Sequence, residues 1–178
     1  MPQDVVDRTA RQIGVGALRY YMMRFSRNRV VAFDFDAALA FEGETGPYLQ
    51  YSVVRARNIL AKLAERFGEA AVDREALAAV SSFDSLEEPA ATEHWELLLQ
   101  LLRVEVVVRQ AVESLELSTL AKHAYVLAQS FNSFYHRYPV VQEQAAGARV
   151  TRTAVVHLYH DGMVQLLALM GIDTPARM

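Results

Sequence analysis

The stretch Gly46–Gly68, GPYLQYSVVRARNILAKLAERFG, decides the fold class. Pro47 suits the first turn of a helix, where its missing N–H would have had no intrahelical partner anyway. Tyr48, Tyr51, Val54, Arg55, Ile59, Leu63 and Phe67 then recur at three- to four-residue steps, and Gly68 is a sound C-terminal stop. The spacing predicts one long helix, launched from the glycine-bearing loop Gly43–Pro47.

The same period extends in both directions. Val6, Ile13, Ala17, Tyr20, Tyr21 and Phe25 predict a helix from Val5 to Phe25, stopped at Ser26-Arg27-Asn28-Arg29. Gly14 and Gly16 each weaken that helix by roughly 1 kcal/mol relative to alanine, which implies close packing at both. Val30–Phe33 reads as an extended link, followed by a helical turn around Ala37 to Leu39. Downstream, Asp73 caps a short helix to Val80, and residues 81–91 form a loop. Trp95, Leu98, Leu102 and Val106 predict a single long helix from Thr92 to about Ser114. Ser118 caps Thr119–Tyr138, ended by Pro139, and Ala148–Met170 is stopped by Gly171. There is no internal repeat. The fold class is all-α: a helical bundle with a short helical and extended N-terminal lead-in.

The 178 residues fit one domain, and a hydrophobic fraction of 52% supplies a sizeable core. The absence of cysteine excludes disulfides, thiolate zinc sites and cysteine nucleophiles. No apolar run reaches the roughly 18 residues of a membrane span, and MPQDVVDRTARQ lacks the apolar core of a signal peptide. The expectation is a soluble, cytoplasmic chain with no membrane partner. Net charge is −3, which argues against gripping nucleic acid by charge alone. The distribution is polarised, however. Residues 1–30 hold six arginines against Asp4 and Asp7, and residues 47–66 hold Arg55, Arg57, Lys62 and Arg66 against Glu65. Residues 84–116 hold eight acids against Arg103 and Arg109. Such a surface can offer one face to a polyanion, although ordinary solvated helix faces have the same look.

Self-contained chemistry is missing. The pairs Asp34/Asp36 and Glu42/Glu44 read as solvated loop acids, having no second ligand set. His157 and Asp161, with His160 beside them, lack the HExxH pattern and a third ligand. No GxSxG, P-loop, GxGxxG or kinase signature occurs, so no catalytic residue and no metal ligand is expected. Two aromatic groups are more suggestive. Tyr48, Tyr51 and Arg55 share one helix face, and Phe131, Phe134, Tyr135 and Tyr138 form a second stripe with Asn132 and His136 interleaved. Aromatic platforms beside arginine suit unstacked bases, yet spacing alone favours core packing.

Four blocks carry a resemblance. IGVGALRYYMM (13–23), FDFDAALAFEGETGPYLQYSVVRARNIL (33–60), LAQSFNSFYHRYPVV (127–141) and LMGIDTPARM (169–178) resemble, in order and spacing, the C-terminal part of arginyl-tRNA synthetases. The resemblance implies a class I ligase that activates arginine with ATP and Mg2+ and transfers it to tRNA(Arg). It also implies a Rossmann catalytic domain with HIGH and KMSKS motifs, neither of which occurs here. Residues 1–46 then correspond to the segment leaving the catalytic domain after the KMSKS region, and residues 47–178 to the DALR-type anticodon-binding domain. This portion is expected to bind no cofactor itself and to be inactive in adenylation. Its partners would be tRNA(Arg) and the catalytic domain, in cis or in trans, and not DNA.

Carried over by position, Gly43, Glu44, Thr45 and Gly46 resemble a mobile loop beside the anticodon. Tyr48, Gln50, Tyr51 and Arg55 match the helix facing the anticodon stem and loop. Phe131, Asn132 and Tyr135, with Met178, match the pocket that reads anticodon bases, and Arg149 and Arg152 match basic positions on the last helix. Phe35 departs from the family's more frequent tryptophan, and Ala124-Tyr125-Val126 places its tyrosine differently; both bear on packing. The alternative is a helical protein-interaction or dimerisation module without an RNA role, using Val104 and Val106–Val108 as an exposed patch.

Overall fold

The computed structural model describes residues 2–178. Its elements are α1 (Gln3–Met23), α2 (Phe35–Leu39), α3 (Gly46–Phe67), a 3-10 turn (Glu69–Val72), α4 (Arg74–Ala78), α5 (Ala90–Leu102), α6 (Val104–Ser114), α7 (Leu117–Arg137) and α8 (Ala146–Leu169). All the regular elements among the described residues are helical.

The opening stretch becomes α3 for the reasons its sequence suggests. Thr45 is the N-cap: its hydroxyl oxygen accepts from the Tyr48 N–H at 3.2 Å and donates to the Ala40 carbonyl at 2.6 Å. Gly68 closes the helix with φ +87°, a conformation that disfavours any side chain. Leu49, Val53, Ala56, Ile59 and Leu63 are buried along one face, which packs on α8, α7 and α1.

Helix α8 touches α3, α4, α5 and α7. Its Tyr159 is fully buried and lies parallel to the Phe131 ring, with centroids 3.7 Å apart. The Tyr159 phenol meets the Ser52 hydroxyl at 2.6 Å, so α3, α7 and α8 are pinned together by one stack and one polar contact. Burial pushes the Tyr159 phenol well above its ordinary range, so the phenol stays neutral.

The lead-in is part of this packing. Tyr20 is fully buried and donates to the Ala121 carbonyl at 3.1 Å, tying α1 to α7. Where α1 crosses α3, a Cβ on Gly46 would stand 2.5 Å from the Gly16 carbonyl oxygen, and one on Gly16 would stand 2.6 Å from the Gln50 amide. The close packing expected at Gly16 is therefore present; at Gly14 a Cβ would meet nothing within 4 Å.

Three features in the segment 90–118 differ from the sequence reading. The expected helix 92–114 begins at Ala90 and breaks at Arg103 into α5 and α6, because α5 lies on both α7 and α8 while α6 follows α7. Helix α7 begins at Leu117, and the Ser118 hydroxyl donates to the Glu116 carboxylate at 3.3 Å instead of capping the helix. Of the valine run, Val104, Val107 and Val108 pack against the core and Val106 faces outward, so no continuous exposed valine patch forms.

Candidate nucleic-acid interface

Helices α3 and α7 leave a groove of about 560 Å3 between them. From α3 it is lined by Tyr51, Arg55, Asn58, Ile59 and Lys62, and from α7 by Asn132, Tyr135 and His136. Pro139 and Gln142 close the far end. Residues 51, 55, 58 and 62 share this edge because steps of three and four return to one helix face.

The polar groups are organised around Asn132. Its side-chain carbonyl accepts from the Arg55 guanidinium at 2.7 Å, and its amide donates to the Tyr48 phenol oxygen at 2.8 Å. Arg55 also reaches the Tyr51 phenol oxygen at 3.4 Å, and its guanidinium carbon sits 4.9 Å from the Tyr51 ring centroid. The Tyr48 ring leans on Tyr125, with centroids 5.7 Å apart. Arg55 and Lys62 bring positive charge to the lining, and none of the lining residues carries a carboxylate. The arrangement therefore combines cations, amides and phenol rings, which suits a ligand bearing phosphates and unstacked planar rings.

The structure brings together Tyr48, Tyr51, Arg55, Asn132 and Tyr135. It separates the other expected residues. Gln50 is fully buried; its amide donates to the Gln12 carbonyl at 3.0 Å and the Asp173 carbonyl at 2.7 Å, so it joins α3 to α1 and to the tail. Phe131 is fully buried in the Tyr159 stack and presents nothing to solvent. Arg152 is ion-paired with Glu143, whose carboxyl is held below its ordinary range by the Ala145 N–H and by Arg152 itself. Arg149 donates to the Glu143 carbonyl at 3.0 Å and stacks over Phe67 at 4.1 Å. Met178 is 36% exposed at the end of a tail held to α3 by Arg57, which donates to the Pro175 carbonyl at 2.9 Å; it does not line the groove. In the loop, Thr45 and Gly46 are buried, Gly43 and Glu42 are exposed, and the Glu44 carbonyl accepts from Arg24 at 2.8 Å.

Asn58, Lys62 and Gln142 line the groove beyond the expected site residues, as does His136, noted in the sequence only as interleaved in the second stripe. The signal for two of them lay in the seven-residue steps from Tyr51 to Asn58 and from Arg55 to Lys62. Other polar candidates have structural roles. Asp34 caps α2 by accepting from the Ala37 N–H at 3.0 Å, and Asp161 pairs with both Arg74 and His160. Among the described residues no cluster of three potential metal ligands occurs. Among the described residues no helix is long and apolar enough to cross a membrane.

Comparison with known proteins places the chain in a family. The family model of the DALR anticodon binding domain matches residues 49–178. The arginine–tRNA ligase of Pyrococcus furiosus is 32% identical over 178 residues, covering 100% of this chain and 27% of that protein. The arginine–tRNA ligase of Clostridium acetobutylicum is 31% identical over 175 residues, covering 98% and 29%. Among solved structures, the Thermus thermophilus arginyl-tRNA synthetase superposes with a TM-score of 0.79 at 31% identity, covering 95% of this chain and 27% of that one. Arginyl-tRNA synthetase from Plasmodium falciparum superposes at 0.75 with 18% identity, a likeness of fold. The chain thus spans less than a third of the length of these relatives.

Proposed function

The chain belongs to the DALR anticodon-binding domain family, and from that premise we propose that its α3–α7 groove binds the anticodon stem and loop of tRNA(Arg). In this reading the chain serves ATP-dependent attachment of arginine to tRNA as the recognition portion of a longer ligase. The observation that carries the proposal is the groove itself, which combines Arg55, Lys62, Tyr51 and Tyr135 with the amides of Asn58 and Gln142 and has no carboxylate among its lining residues. An anticodon loop offers exposed base faces and a phosphate backbone, so its reader needs rings, amides and a few cations more than a strongly basic surface. A net charge of −3 is compatible with that division of labour.

Tyr51 and Tyr135 are the stacking candidates, and Arg55 and Lys62 the phosphate contacts. Arg149, the exposed Gly43 edge of the loop and Met178 at the tail are candidate contacts outside the groove. Gln50, Phe131 and Arg152 contribute by holding the helices in place. Residues 1–46 correspond to the segment that leaves a catalytic domain, and residues 47–178 to the recognition domain. ATP and Mg2+ belong to the chemistry of the longer ligase. The compartment that fits is the cytoplasm, where the tRNA is charged.

The test is binding of tRNA(Arg) transcript by the purified chain, compared with an unrelated tRNA across a salt series. Selective binding that weakens as salt rises, and that Tyr51→Ala with Tyr135→Ala reduces roughly tenfold or more, supports the proposal. Equal binding of both tRNAs, indifferent to the double variant, rejects it. Arginine-dependent ATP–pyrophosphate exchange by these 178 residues is expected to be absent.

A further inference from the structure

Resting on the anticodon-groove reading, we infer that Asn132 is a positioning residue: it holds the Arg55 guanidinium across the groove and makes no contact with RNA itself. Asn132 spends both ends of its amide on α3. Its oxygen accepts from Arg55 at 2.7 Å and its nitrogen donates to the Tyr48 phenol oxygen at 2.8 Å. The opposite orientation of the amide would set an NH2 group against a guanidinium, donor against donor, so the chemistry of Arg55 dictates which way Asn132 faces.

The consequence falls on Arg55. A free arginine on a helix surface samples many rotamers, and fixing one on binding costs affinity. Here Asn132 and the Tyr51 phenol engage only two of the five guanidinium N–H groups and leave the plane 4.9 Å from the Tyr51 ring centroid. The cation is thus set in the groove before a ligand arrives, with donors still free for a phosphate or a base edge. Tyr48 is drawn into the same arrangement. Its oxygen accepts from Asn132, which leaves its own O–H to donate elsewhere, and its ring is braced by Tyr125. Asn132 therefore acts through its neighbours, joining one helix to the binding face of the other.

A double-mutant cycle on tRNA(Arg) transcript separates this role from direct contact. Arg55→Ala and Asn132→Ala are each expected to weaken binding by roughly tenfold, and the double variant to bind within about twofold of Arg55→Ala alone. A second readout needs no RNA: the heteronuclear NOE of the Arg55 Nε–H should fall in Asn132→Ala, as the guanidinium loses its anchor. If Asn132→Ala unfolds, Asn132→Ser, too short to span both partners, carries the same two measurements. Additive losses in the double variant would mean that Asn132 touches RNA and would overturn the inference. So would an unchanged NOE or wild-type affinity in the single variant. If Arg55→Ala and Tyr51→Ala themselves leave affinity unchanged, the groove reading falls first and takes this inference with it.

Discussion

Gly46 and Gln50 lie one helical turn apart on α3, and neither looks structural in the sequence. A Cβ at Gly46 would press on the Gly16 carbonyl at 2.5 Å, backbone against backbone, where no side chain can swing aside. Gly46→Ala should therefore destabilise the chain by about 2 kcal/mol, seen as a lower urea midpoint with α1 displaced from α3. Gln50 read as a polar residue on the face offered to RNA. Its partners, the carbonyls of Gln12 and Asp173, lie 38 and 123 residues away, and no local pattern reports them. Gln50→Leu removes both ties, to α1 and to the tail, and should cost about 2 kcal/mol in denaturant titrations. Any loss of tRNA affinity should then track the unfolded fraction and disappear at low temperature.

At the scale of elements, the start of α3 rests on one hydroxyl. Thr45→Ala removes the cap on Tyr48 and the tie to Ala40, and should lower stability by about 1–2 kcal/mol in the same titrations. Along the exposed edge of α3, Lys62 is the cation that the seven-residue step from Arg55 delivers to the groove. Lys62→Ala should leave stability unchanged and reduce the salt slope of tRNA binding by about one. The break between α5 and α6 shows where periodicity runs out. Ala90, His94, Leu97, Leu101, Val104, Val108 and Ala111 alternate steps of four and three without a gap, and all are buried or half-buried. An uninterrupted period reads as one helix, and a change of packing partner at Arg103 leaves no mark in it.

At the scale of the molecule, the interior holds an uncharged imidazole. His94 is fully buried, its Nδ1 hydrogen-bonded to the Ala90 carbonyl and its ring set against Phe83, Phe134 and Tyr138. Burial pushes it from the ordinary 6.5 down to about 4. Between those values the unfolded chain binds a proton that the folded chain refuses. Stability is thus full above about pH 6.5 and is lost as pH falls toward 4. His123 and His157, also pushed down mainly by burial, add to the same slope. The melting temperature should drop by roughly 5 °C or more between pH 7 and pH 4.5, and His94→Phe should flatten much of that drop.

The apolar period, the cap at Asp73 and the glycine stops at Gly68 and Gly171 are local matters, so the sequence by itself determined an all-helical bundle and most of its helices, the break at Arg103 excepted. It also placed Tyr48, Tyr51 and Arg55 on one face, because helical geometry alone does that. Which polar residues meet a ligand was decided only by the tertiary structure. Tyr51 and Gln50 are neighbours in sequence, yet one is exposed at the groove and the other is sealed under α1 and the tail. Burial is a property of what packs on a helix from elsewhere in the chain, and that information lies in contacts between residues far apart in sequence.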